Sequence, residues 1–167
     1  LKPENVLISQ LDGLHKISDL GLATGTGRGF RTEAGLVLGT PRFMAPEQVR
    51  EKAMPQSDLY ALGSLMYVML TGALPFPDDN ELEVITKKVK LPGPLKRVVE
   101  LRPELEGPLD ELVMKLLSRD PAARGASADE LIPQLERLVI KAREGRLHSR
   151  SAANKPGAAS GSRNAGS

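Results

Sequence analysis

Lys2 and Asn5 stand three residues apart at the start of the chain, and Asp19 follows within Ser18-Asp19-Leu20-Gly21. An ammonium, an amide oxygen and a carboxylate can converge on one metal–nucleotide complex. Phosphoryl transfer needs that kind of set: little covalent chemistry, but cations and hard oxygen ligands fixed around the phosphate oxygens. Asn and Asp oxygens suit Mg²⁺, which keeps few protein ligands and shares the rest with phosphates and water.

The elements between these residues must bring them together. Val6-Leu7-Ile8 and Leu14-His15-Lys16-Ile17 are short apolar or alternating runs around Gln10-Leu11-Asp12-Gly13, and Asp-Gly between such runs is a hairpin signal. Two antiparallel strands would leave Asn5 before one strand and Asp19 after the other, at the same end.

Leu1-Lys2-Pro3-Glu4-Asn5 resembles the end of the catalytic loop of eukaryotic-type (Hanks-type) Ser/Thr protein kinases, in particular bacterial ones. Asp19-Leu20-Gly21 is similar to their metal-binding Asp-Phe-Gly, and Ala45-Pro46-Glu47 to the motif that closes the activation segment. The resemblance continues through residues 56–63, 70–76 and 120–124, and so covers roughly 1–140. It implies a mainly α fold: a kinase C-lobe fragment with a short N-terminal β-hairpin. Residues 1–144 are the expected partial kinase domain, and residues 145–167 a disordered basic linker or tail.

By this resemblance, ATP and Mg²⁺ are the cofactors and Ser/Thr residues of protein substrates the acceptors. Lys2 and Thr40 take catalytic roles, and Lys2, Glu4, Asn5, Leu7 and Asp19 surround ATP, with Asn5 and Asp19 on the metal. Lys2 neutralises the transferring phosphate, and Thr40 bonds Lys2 and the catalytic Asp. That Asp would directly precede Leu1 and is absent, with the N-lobe, so the fragment itself is expected to be inactive and its parent an active kinase. A pseudokinase-like binding module is the alternative, and a purely structural helical domain a third. Thr32, ahead of Thr26 and Thr24, is the candidate phosphosite in a Gly-rich, basic stretch; an ordinary loop Thr is the other reading.

Three further residues are assigned structural roles by the resemblance. Glu47 pairs with Arg124 in a buried ion pair, and Asp58 bonds backbone amides of the catalytic loop or simply caps a helix. Gly125 stands where Pro is frequent in the family. The segment 39–47 would seat the substrate residue after the target hydroxyl.

Apolar periodicity supplies the scaffold. A buried helix is expected over 57–70, capped by Ser57-Asp58 and apolar nearly all round; others are expected at about 80–88, 108–118 and 126–144, with a Ser127–Glu130 capping box opening the last. Residues 92–108 read mostly as loop. With the helices before Leu1 missing, the isolated chain should expose an apolar patch and be marginally stable.

Composition fits half a domain and a tail. The 167 residues are 40% hydrophobic and only 3% aromatic, so Leu, Val, Ile, Met and Ala must fill the core. The net charge of +2 includes +4 from Arg146, Arg150, Lys155 and Arg163 beyond residue 144, which leaves −2 on the rest. The basicity is therefore a property of the tail and does not indicate nucleic-acid binding. No apolar run is long enough to cross a membrane, although the parent protein could be anchored through such a linker. With no cysteine there are no disulfides, which is compatible with a reducing cytoplasm, the expected location. His15 and His148 lack the neighbours that a metal site needs.

Overall fold

Strands β1 (Val6–Ile8) and β2 (His15–Ile17) pair antiparallel in the register Val6 with Ile17, Leu7 with Lys16 and Ile8 with His15. The Asp-Gly turn closes them as its sequence requires: Gly13 N–H donates to Ser9 O (2.9 Å), Ser9 N–H to Leu14 O (2.9 Å), and Asp12 Oδ1 accepts from Leu14 N–H (3.1 Å). A single 3₁₀ turn, Pro3–Asn5, leads into β1, with Pro at its first position where no N–H is needed.

The computed structural model describes residues 1–18, 41–50, 52–77, 80–89 and 95–153, with side chains to residue 143. The described part is mainly helical, as expected of a kinase C-lobe fragment. It falls into two units, Leu1–Glu130 and Leu131–Ser167.

In the first unit, α1 spans Pro55–Thr71, α2 Glu81–Val89, α3 Val98–Leu101 and α4 Pro108–Leu116. The core joins Ala45, Tyr60, Tyr67, Val98, Val113 and Leu117, with Met66, Leu70, Leu95 and Leu105 packed against it. Helix α1 is its centre. One face of α1 meets α4 closely enough that a Cβ on Gly63 would lie 2.7 Å from Leu116 Cβ. The small residue at this position is a packing requirement, since the two backbones would otherwise be held apart.

Several sequence expectations are corrected here. Helix α1 begins at Pro55 rather than at Ser57-Asp58, because Pro fits the first helical position, and Met54 is its cap residue. Ser57 lies within the first turn and receives the Met54 N–H on its Oγ (3.2 Å). Nor is α1 buried all round: Met69 is 76% exposed, and Leu62, Leu65 and Met66 are half-buried. Apolar side chains are also exposed on the hairpin, at Leu7, Ile8, Leu11, Leu14 and Ile17.

The segment expected to be mostly loop contains α3 and a 3₁₀ turn, Pro103–Leu105. Their anchor is Asp110, which is buried and accepts from Arg97 Nε (3.0 Å), from Arg97 Nη2 and from Val99 N–H (3.2 Å). Periodicity cannot show this, since Asp110 sits on α4 and its partners lie in another element.

In the second unit, α5 runs from Ile132 to Ala153. The Ser127–Glu130 pair expected to open this helix lies before its start. Glu130 instead accepts the Ala126 N–H (3.1 Å), which closes a turn, and the helix starts only at Ile132. At its other end α5 continues nine residues past the expected boundary at 144. Its last stretch holds Arg146, Leu147, Ala152 and Ala153, all good helix formers, and their propensity extends the helix into the basic segment. Residues 154–167 lie outside the described part.

Gly63→Ala is expected to destabilise the protein by about 1–3 kcal/mol through overpacking against Leu116, read as a lowered denaturation midpoint. An unchanged midpoint would mean that α1 and α4 can separate at this point without cost.

Candidate functional site

The hairpin places the two ends of the proposed metal-binding stretch side by side. Asn5 O accepts from Ser18 N–H (2.8 Å) and from Ser18 Oγ (3.3 Å), while Asn5 N–H donates to Lys2 O (3.0 Å). Lys2 is fully extended (φ −155°, ψ 161°) and enters the 3₁₀ turn that carries Glu4, which is exposed. Asn5 is thus fixed by backbone bonds on both sides. Asp19 is the residue after Ser18, and it lies outside the described residues together with Thr24, Thr26, Thr32 and Thr40.

Leu7 is half-exposed on β1, available to a ligand face and unburied by the described chain. Among the described residues no group of three or more His, Cys, Asp or Glu side chains forms a metal cluster. The donor types that the sequence offers, an amide oxygen at Asn5 and a carboxylate at Asp19, suit Mg²⁺ better than a transition metal.

The structural pair proposed from sequence is formed in full. Arg124 Nη1 donates to Glu47 Oε1 (2.6 Å) and Nη2 to Glu47 Oε2 (2.9 Å), a bidentate fork. The remaining N–H groups reach Ser118 O (2.8 Å, from Nε), Gln56 O (2.9 Å, from Nη1) and Arg119 O (3.3 Å, from Nη2). All five guanidinium donors are therefore used, and the side chain is fully buried. Ser57 Oγ donates to Glu47 Oε1 (2.7 Å), so the residue that takes the Met54 N–H in the capping box of α1 also completes the carboxylate's partners.

Local sequence sets up this convergence. Asp120 caps the 3₁₀ turn Pro121–Arg124 by accepting the Ala122 N–H (3.0 Å), which aims Arg124 inward. Gly125 then leaves the turn at φ +114°, a conformation closed to proline, so the departure from the family's usual residue is matched by a backbone that only glycine adopts readily. On the other side, Ala45 N–H donates to Gln48 Oε1 (2.9 Å) and Gln48 N–H to Ala45 O (3.1 Å), a tight turn that presents Glu47.

Asp58 projects from the first turn of α1 into solvent, with Oδ1 3.7 Å from the Leu1 nitrogen. Its side chain is beside Leu1, but among the described residues it accepts no backbone amide, and the cap position of α1 belongs to Met54.

Two residues not singled out in the sequence complete the site. Tyr60 is buried, with the Arg124 guanidinium 4.9 Å and the Lys88 ammonium 5.3 Å from its ring centroid. Burial pushes its phenol well above the ordinary value, so it stays neutral. Lys88 is itself buried and donates to three carbonyls, Pro41 O (2.7 Å), Arg42 O (2.8 Å) and Met44 O (2.8 Å). Burial pushes this amine down to about 7, whereas the three carbonyls and the Tyr60 ring favour its charged form. The signal was present: Lys88 follows Val84 by four residues on the inward face of α2, where a solvated lysine would not fall.

The protein kinase domain model matches residues 1–134. The chain belongs to the protein kinase domain family. It is 37% identical over 140 residues to the serine/threonine-protein kinase PknL of Mycobacterium tuberculosis, an alignment covering 83% of this chain and 34% of that protein. It is 35% identical over 147 residues to the serine/threonine-protein kinase pkn3 of Myxococcus xanthus, covering 81% and 26%. A third relative is the probable serine/threonine-protein kinase PknB of Lactococcus lactis, 32% identical over 133 residues, covering 79% and 21%. The chain thus spans about a third or less of the length of these relatives, which are bacterial Ser/Thr kinases.

The Glu47–Arg124 pair gives the family's activation-segment end a measurable stability. Arg124→Ala is expected to cost about 3–5 kcal/mol, because Glu47 would be left buried and unpaired. Burial pushes the Glu47 carboxyl up, but hydrogen bonds from Arg124 and Ser57 more than offset it and hold the group below its ordinary value of 4.5. A carboxyl with a lowered folded-state pKa contributes stability above its unfolded value and loses it as pH falls through the folded one. Wild type should therefore lose stability below pH 4.5 more steeply than Glu47→Gln, as read from denaturation midpoints across that range. Parallel acid limbs would show that the pair is not what titrates.

Proposed function

We propose that this chain supplies the metal-, phosphate- and peptide-binding part of a kinase that transfers the γ-phosphoryl group of ATP to Ser or Thr of protein substrates. The observation that carries this reading is the Asn5–Ser18 backbone bond, which holds one hard-oxygen ligand beside the residue preceding the other. Asn5 and Asp19 would hold Mg²⁺, which when bound supplies positive charge at the phosphate oxygens.

The chain's own residues do the rest. Lys2, three residues before Asn5, brings an ammonium to the transferring phosphoryl group, and Glu4 and Leu7 flank the nucleotide from the same loop and strand. By resemblance to the family, Thr40 would hydrogen-bond Lys2 and favour Ser/Thr over Tyr acceptors. The segment from Asp19 to Glu47 is the regulated one, with Thr32 as its phosphosite, and the bidentate bond from Arg124 fixes its far end. The kinase works in the cytoplasm. No helix among the described residues is long and apolar enough to cross a membrane.

The full-length protein is expected to transfer labelled phosphate from ATP to Ser/Thr-containing protein in the presence of Mg²⁺. Asn5→Ala and Asp19→Ala should each lower kcat by about a hundredfold or more, since each removes a ligand that positions charge in the transition state. Transfer that is unaffected by both substitutions, or that goes to tyrosine alone, would overturn the assignment. Thr32→Ala should abolish phosphate at that position in a mass spectrum and lower activity, whereas a plain loop threonine would leave both unchanged.

A further inference from the structure

Lys88 is a charged side chain with no part in the chemistry so far, yet it is 1% exposed. Its Nζ reaches Pro41 O, Arg42 O and Met44 O at 2.7–2.8 Å, so three acceptors drawn from four consecutive residues take its three protons. The same segment closes on itself through Met44 N–H to Pro41 O (3.3 Å). Around the ammonium stand the rings of Tyr60 (5.3 Å) and Phe76 (5.9 Å), and Phe43, Met44 and Ala45 are buried.

A lone structural hydrogen bond would need one carbonyl. Three carbonyls turned toward a single point mean that the path of the backbone over 41–44 is organised around this ammonium. An apolar side chain in its place would take the ammonium donor from all three inward carbonyls, leaving Pro41 O only the weaker Met44 N–H. Helix α2, which carries Lys88, is tied in turn to Arg119, whose Nη2 donates to Lys87 O (3.0 Å).

We propose that Lys88 is a positioning residue for peptide recognition: by gathering the carbonyls of Pro41, Arg42 and Met44 it sets the shape of the segment that receives the substrate residue following the phosphoacceptor. This rests on the kinase reading for the segment's role, but the clamp itself does not. Lys88 touches no reacting atom. It acts through the backbone of 41–44, and so should govern which peptides bind well rather than how ATP binds.

The test compares wild type with Lys88→Met and Lys88→Gln in the full-length protein; Gln keeps an amide donor and guards against loss of folding in the Met variant. Peptides varied only at the residue after the phosphoacceptor, and backbone hydrogen exchange over 41–50, are the two measurements. Lys88→Met is expected to raise the peptide KM by about tenfold and flatten preference at that position, with the KM for ATP unchanged. Exchange should quicken over 41–50 while the amides of α1 and α4 keep their protection, and Gln should fall between the two.

Unchanged peptide preference together with unchanged exchange would overturn the proposal. So would a loss of protection spread evenly over α1 and α4, with the KM for ATP rising in step, since that is a general stability effect. If wild type transfers no phosphate, the kinase reading fails on that result. The exchange experiment still decides the clamp: quickening confined to 41–50 supports it, and none refutes it.

Discussion

A buried guanidinium with five donors and five acceptors is the constraint on which the first unit depends. Arg124 joins three separate stretches of chain: the turn that ends in Glu47, the start of α1 at Gln56, and the turn after α4 at Ser118 and Arg119. Burying one charge is costly, and the cost is recovered only when a partner and all remaining hydrogen bonds are in place. The arrangement therefore works as a set. Asp120, the glycine conformation at Gly125, Ser57 and the Ala45–Gln48 turn are the local devices that make the set complete.

Tyr60 extends this constraint to α2. Its ring is shared between the Arg124 and Lys88 cations, so the residue at the centre of α1 connects the ion pair to the ammonium under the 41–44 segment. Aromatic content is low, and Tyr60 and Tyr67 are both spent in this core. The apolar packing around them comes from Val, Leu and Met, with the tightest approach made possible by glycine at 63. The helices hold Glu47 through Arg124, and the hairpin holds Asn5 beside Ser18.

Much of the site could be read from residue order alone because its parts are short and local. Leu1 to Asn5, the Asp-Gly hairpin and Ala45-Pro46-Glu47 keep their meaning within a few residues, and the pairing of Glu47 with Arg124 followed from resemblance across a separation of 77 positions. What stayed hidden depends on partners far along the chain. Ser57 looked like a cap because Ser caps helices, and only folding brings Glu47 to it. Asp110 and Lys88 looked like ordinary charges on amphipathic helices, and their burial is legible only once Arg97 and the 41–44 carbonyls are beside them. Helix ends were missed for a related reason: Pro55 and the Glu130 turn compete with equally plausible nearby starts.

The sequence by itself determined the family, the order of the motifs that resemble its catalytic loop and activation-segment end, the N-terminal hairpin and the mainly helical scaffold, because motif spacing and apolar periodicity are local properties. Only the tertiary structure decided where the charges go. Whether a lysine or aspartate is solvated or buried depends on whether distant donors and acceptors complete its hydrogen bonds, and that is settled by the packing of α1, α2 and α4 around Tyr60 and Arg124.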